Sequence, residues 1–185
     1  MSNTGKTGQV ANGQEFDGSD DRINIPHAAS LNTPSMTIAC WAYSDNWEKY
    51  YAMLATKGAT DAGAWQLRLA GSSKRPQFMS QGGVLAYSTS ALLNGNWHSI
   101  IGTYDNVAHQ GCIYVDGIAK DIRADVSQDT TSGEDINIGS RAASYFFIGN
   151  IDEVQLHNVA RSADWILTYY NMTSDNDAFW TVGAE

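Results

Sequence analysis

The chain has 185 residues, a length that fits one domain of the usual ~100–200 residues. Its apolar content of 43% and aromatic content of 11% exclude a disordered or collagen-like chain. Against 11 Lys and Arg stand 20 Asp and Glu, a net charge of −9 that excludes the positive field nucleic-acid binding needs and is repelled by anionic membranes.

No apolar run approaches the ~20 residues of a spanning helix, so no membrane insertion is expected. The polar start of the chain has no apolar core of a signal peptide. From there the dominant period is two. Residues 22–25, 65–69 and 136–138 alternate polar and apolar, and residues 36–43, 51–56, 84–88, 97–104 and 112–115 are rich in β-branched and aromatic side chains. Turn clusters separate them at residues 58–63, 71–76, 81–83 and 94–96. Asp116-Gly117 supplies the positive φ angles of a two-residue hairpin. Strands at roughly ten-residue spacing predict an antiparallel β-sandwich.

One short helix follows near the C-terminus. Ser162 is its predicted N-cap, Asp164 favours the first turn, and Ile166, Tyr169 and Tyr170 recur at helical spacing, with an end near Asn171. The apolar residues 179–182 beyond it are expected to dock. The fold class is therefore all-β with one C-terminal helix, residues 1–7 being a tail and residues 8–185 the domain. Cys40 and Cys112 sit in apolar strands and read as two buried thiols, with a disulfide as the alternative. Four scattered histidines and no paired cysteine motif argue against zinc.

Several phrases then line up in order: GQVANGQEFDGSDDRINIP at 8–26, MTIACW at 36–41, NWHSIIGTYD at 96–105, IYVDG at 113–117 and FIGNIDEVQLHN at 147–158. Together they resemble the laminin-G-like, concanavalin A-like lectin/glucanase superfamily, in its bacterial, archaeal and phage branch. The resemblance implies a jelly roll of two packed sheets. It also implies an internal module of a secreted, cell-surface or virion protein. The chain is expected to be an excised module with an added start methionine, or a small virion protein.

Glucanases of that fold carry paired acids on one strand, and no such phrase occurs here. Asp152 and Glu153 are adjacent and point to opposite strand faces. The expectation is no enzyme. The resemblance also suggests that the first and last strands meet at an edge where calcium could bind Asp17, Asp21 and Asp152, as a structural ion. The alternative is that these acids shape turns or pair with a cation.

Saccharides are held by aromatic rings and planar polar side chains. Trp41, Trp97 and Trp65 read as packing. The loop carrying Trp47, Tyr50 and Tyr51 and the loop carrying Arg141 and Tyr145 are candidate binding lips, each with the alternative of anchoring its own loop. Gln66 and Arg68 alternate away from Trp65 and are expected on the sheet's other surface. The expected function is a non-catalytic, carbohydrate-binding module for polysaccharide or cell-surface glycan. The rival is a structural or protein-adhesion module, such as a virion decoration or surface-layer domain.

Overall fold

A computed structural model describes residues 7–47, 51–60, 63–81, 83–129 and 132–175. Two antiparallel sheets of six strands each pack face to face. The first sheet has the order β1 (Gln14–Asp17), β12 (Ile148–His157), β3 (Met36–Ser44), β8 (Asn96–Asp105), β9 (Gln110–Val115) and β10 (Ile118–Arg123). The second has the order β2 (Ile23–Ile25), β11 (Ile136–Ile138), β4 (Met53–Lys57), β5 (Trp65–Leu69), β6 (Pro76–Ser80) and β7 (Gly83–Tyr87). The one α-helix among the described residues, α1, Ala163–Ser174, lies on the outer face of the first sheet.

The inner faces supply the main core: Phe16, Ile38, Cys40, Ile100 and Ile113 from the first sheet meet Leu54, Trp65, Leu67, Leu69 and Phe78 from the second. A second cluster forms where α1 lies on Ala39, Trp41, Ile101, Cys112 and Tyr114, with Ile166 and Tyr169 from the helix. Trp41 and Trp65 are buried as expected, and Trp97 is half-buried against this second cluster. Cys40 therefore faces the interior and Cys112 the helix. They lie on opposite faces of one sheet with β8 between their strands, so no disulfide can join them. Burial pushes the Cys40 thiol up to about 12.

The hairpin turn has Asp116 at φ 53° and Gly117 at φ 75°, the pair of left-handed residues expected there. Ser162 caps α1, its hydroxyl accepting from Trp165 N at 3.2 Å. The helix runs to Ser174, past Asn171, because its C-terminal carbonyls find a donor from the far end of the chain. Gln9 Nε2 donates to Thr173 O at 3.2 Å and to Ser174 O at 3.1 Å. The predicted docking of residues 179–182 lies outside the described residues. No helix among the described residues is long and apolar enough to cross a membrane.

The start of α1 carries a pH-dependent contact. His157 Nδ1 accepts from Arg161 Nη2 at 3.2 Å, and Nε2 faces Gln155 Oε1 at 3.2 Å, which selects the neutral tautomer with hydrogen on Nε2. Burial first, and then the Arg161 charge, lower its pKa from 6.5. The unfolded chain therefore takes up this proton more readily than the folded one. The resulting stability is fully present above pH ~6.5 and is lost as pH falls from there through the lowered folded value. Chemical denaturation at pH 5 to 8 should show this slope in the wild type and a flatter one in His157→Gln.

Candidate functional site

Helix α1 closes the outer face of the first sheet along most of β3 and β9, and among the described residues no helix lies over the outer face of the second sheet. The register across that second sheet sets Asn24, Asn137, Thr56, Gln66 and Met79 in one row. The next row holds Met53, Arg68, Gln77 and Tyr87. Because Trp65, Leu67 and Leu69 point inward, strand alternation sends Gln66 and Arg68 outward, as the sequence pattern predicted.

Arg68, Gln66 and Gln77 are buried although they lie on this outer face. Arg68 Nε donates to Gln77 Oε1 at 3.1 Å, and Nη1 donates to Gln66 Oε1 at 3.1 Å. A guanidinium removed from water requires such bonds and stacking. The stacking comes from Tyr51, whose ring centre lies 4.6 Å from the Arg68 guanidinium carbon. Tyr51 meets Tyr145 edge-on at 6.0 Å, and Arg141 stacks on Tyr145 at 4.2 Å. Four of the residues singled out from the sequence (Tyr51, Arg68, Arg141 and Tyr145) thus come together in one cluster. Tyr50 lies outside the described residues.

Tyr51 at φ 49° and Tyr145 at φ 54° are both in the left-handed region. That conformation costs a side-chain-bearing residue ~1–2 kcal/mol, a strain that gathers at ligand clamps. The surrounding loop holds it. Arg141 and Ser144 exchange backbone bonds of 2.9 and 3.0 Å, Thr56 Oγ1 donates to Ser140 O at 3.0 Å, and Arg22 Nη1 donates to Ala142 O at 2.8 Å. Beside the cluster runs a groove of about 400 Å³ along Tyr51, Arg68, Gln77, Met79, Val84 and Tyr87, with Arg123 at its far rim. Arg123 is held by Asp121 at 2.7 Å, and Asp121 also accepts from Tyr87 N at 2.9 Å. Gln77, Tyr87 and Arg123 escaped the sequence reading. Gln77 follows a turn-like stretch ending in Pro76 and gives no strand signal of its own, and Arg123 reaches this sheet from the edge of the other.

Trp47 does not belong to a binding lip. It is 0% exposed, packs on Phe147 at 5.8 Å and edge-on to His98 at 6.1 Å, and donates its Nε1 hydrogen to Leu93 O at 3.0 Å. Its ring is enclosed in the core, whereas Tyr51 and Tyr145 are half-buried.

The calcium candidates divide in the same way. Carboxylate oxygens of Asp17, Asp20 and Asp21 lie within 4.8 Å of one another. Ligands held ~2.3–2.6 Å from a calcium ion span that range, and an all-carboxylate set suits a hard cation. The set is also a self-bonded turn: Asp17 Oδ1 accepts from Ser19 N at 2.7 Å, and Asp21 Oδ2 accepts from Asp17 N at 3.1 Å. Asp152 is not part of it. Asp17 pairs with Ile148, and Asp152 lies further along β12, more than ~10 Å away at ~3.4 Å per residue. The Asp152 carboxylate instead accepts from Val10 N and Glu153 N, both at 2.8 Å, fixing the N-terminal segment. Asp20 takes the place predicted for Asp152.

The sandwich and its order of phrases define a lectin-like class, and the family is shown directly. The chain belongs to the laminin-G-like family of the concanavalin A-like lectin/glucanases superfamily, whose model matches residues 17–167. No curated protein sequence matches it. Among similar solved structures is the CBM40 module of the Ruminococcus gnavus IT-sialidase bound to α2,3-sialyllactose, at TM-score 0.71 and 13% identity over 85% of this chain and 96% of that one. Another is domain 4 of an extracellular arabinanase from Geobacillus stearothermophilus in complex with arabinotriose, at TM-score 0.69 and 14% identity over 87% and 77%. A third is a heptameric SAP-like pentraxin from Limulus polyphemus, at TM-score 0.64 and 12% identity over 84% and 80%. At these identities the likeness is one of fold.

Proposed function

We propose that the protein is a non-catalytic carbohydrate-binding module of an extracellular, cell-surface or virion protein, and that its glycan lies on the outer face of the second sheet. The observation that carries this reading is the convergence of Tyr51, Arg68, Tyr145 and Arg141 beside the Gln77 amide, at a groove over which no helix lies among the described residues. Rings stack on the apolar face of a sugar, while amides and guanidinium groups grip its hydroxyls. Saccharides bound to two of the similar structures support the ligand class.

Retention on a glycan array or in polysaccharide affinity gels tests the reading. Tyr51→Ala and Tyr145→Ala should each weaken binding about 5–10-fold, the loss of one ring contact. Unchanged affinity in both would remove this face from the site. A calcium ion at Asp17, Asp20 and Asp21 would be structural. Chelator should then lower the melting temperature and leave the affinity of the still-folded protein unchanged, and Asp20→Asn should abolish the chelator effect. Identical melts in calcium and chelator would reject the ion.

The rival reading, protein adhesion, draws on one feature. Strand β10 is a sheet edge whose Ile118 and Ile122 are 59% and 56% exposed. Such an edge can accept a strand from another protein.

A further inference from the structure

We propose a second saccharide-binding site on the first sheet, at the end of its outer face that α1 does not reach. It rests on the same ligand class as the first site but on different residues. The register across β1, β12, β3 and β8 sets Glu15, Asn150, Tyr43 and Trp97 side by side. Strand alternation puts Tyr43 on the same outer face as Trp41. The last turn of α1 ends over Trp41: its Nε1 donates to Thr173 Oγ1 at 2.9 Å, and Tyr170 stacks on it at 5.6 Å. Tyr43 and Trp97 stand one step further along, both half-buried, with ring centres 5.7 Å apart and planes tilted by 47°.

These rings are held in place. The Tyr43 hydroxyl donates to Asp45 Oδ1 at 2.7 Å, and Trp97 packs against the cluster under the helix. Beside them opens a hollow of about 290 Å³ lined by Tyr43, Asp45, Asn46, Asn150, Glu15 and Asp17. Fixed aromatic rings next to carboxylate and amide oxygens are what an uncharged sugar ring needs: an apolar surface for its C–H face and acceptors for its hydroxyls. The acidic rim repels uronic or sulfated sugars. The ligand class is a neutral pentose or hexose unit. Because the two sites lie on opposite sides of the sandwich, one molecule would bridge two polysaccharide chains, and avidity would exceed either affinity.

The test uses the full chain in affinity gels cast with neutral polysaccharides (arabinan, xylan and a β-glucan), with circular dichroism to confirm folding. Trp97→Ala should weaken retention by at least one of them about tenfold, and Asp45→Ala, an exposed change, should weaken the same one. The Tyr51→Ala/Tyr145→Ala double variant should keep that component and lose it only when Trp97→Ala is added. If Trp97→Ala and Asp45→Ala leave every affinity within twofold of the wild type, the second site is overturned and the first stands. If the double variant alone matches the wild type, the first site is overturned and the second stands. No retardation of the wild type by any of the three would overturn the second site.

Discussion

Replacing Trp47 by alanine is expected to destabilise the fold by about 3–5 kcal/mol, the usual cost of emptying a large buried aromatic site. For a domain of this size that is a fall of roughly 6–20 °C in melting temperature. The ring is 0% exposed, and its neighbours Phe147 and His98 belong to two different strand-end regions, so collapse into the hole would have to move both. The Leu93 carbonyl would also lose its indole donor. Trp47→Phe should recover most of the loss, because it refills the volume and forfeits only the hydrogen bond. Thermal melts and urea titrations measure both. Glycan affinity, corrected for the folded fraction, should change far less than in Tyr145→Ala. A Trp47→Ala protein with a wild-type melt would return that residue to the surface.

The second large effect is expected at Gly139. Its φ is 79°, and a Cβ placed there runs into the ring of Phe16, which is 1% exposed. The positive φ costs a side-chain-bearing residue ~1–2 kcal/mol, and forcing an extra carbon into a packed core costs ~1–3 kcal/mol. Gly139→Ala should therefore lose about 2–5 kcal/mol. Gly139 is also where the chain leaves β11 for the loop bearing Arg141 and Tyr145. Its N–H donates to Leu54 O at 3.0 Å, and its carbonyl accepts from Phe147 N at 2.7 Å. A shift at this pivot should displace Tyr145, so residual folded protein should bind glycan more weakly. Gly133→Ala is the control: nothing lies within 4 Å of its Cβ position, and its melt should stay within ~0.5 kcal/mol of wild type. Equal melts for the two variants would contradict this packing.

The strands were legible wherever local chemistry and tertiary placement agreed. Trp65, Leu67 and Leu69 alternate because one face of β5 meets the core, and the same alternation located Gln66 and Arg68 on the far side. Asp116-Gly117 announced its turn because few other residues tolerate two positive φ angles in succession. Strand β6 was not legible. Pro76 opens it from a turn-like segment, and its pairing with β5 is decided by Leu67 and Phe78 meeting across the ladder. Trp47 misled because a tryptophan among charged residues reads as a loop tip, whereas only the three-dimensional course of the chain brings Leu93 and Phe147 around it. Asp152 misled for a related reason. Adjacency of the first and last strands was foreseen, but the register that slides Asp152 away from Asp17 is set by long-range pairing that no short window contains.

That pairing of β1 with β12 has a consequence for how the protein is made. Gln14 finds its partner only at Ile151, and Phe16 only at Gly149. During synthesis the first strand must wait, unpaired, until nearly the whole domain has emerged from the ribosome. A topology ruled by such distant contacts belongs with slow folders, on the scale of milliseconds to seconds. The first and last strands also share one sheet edge. The segments at Gln9 and Ser174 meet as well, so joining them by a short linker and reopening the chain at the exposed turn 106–109 between β8 and β9 would turn this long-range closure into a local one, and the permuted protein should fold faster to the same structure.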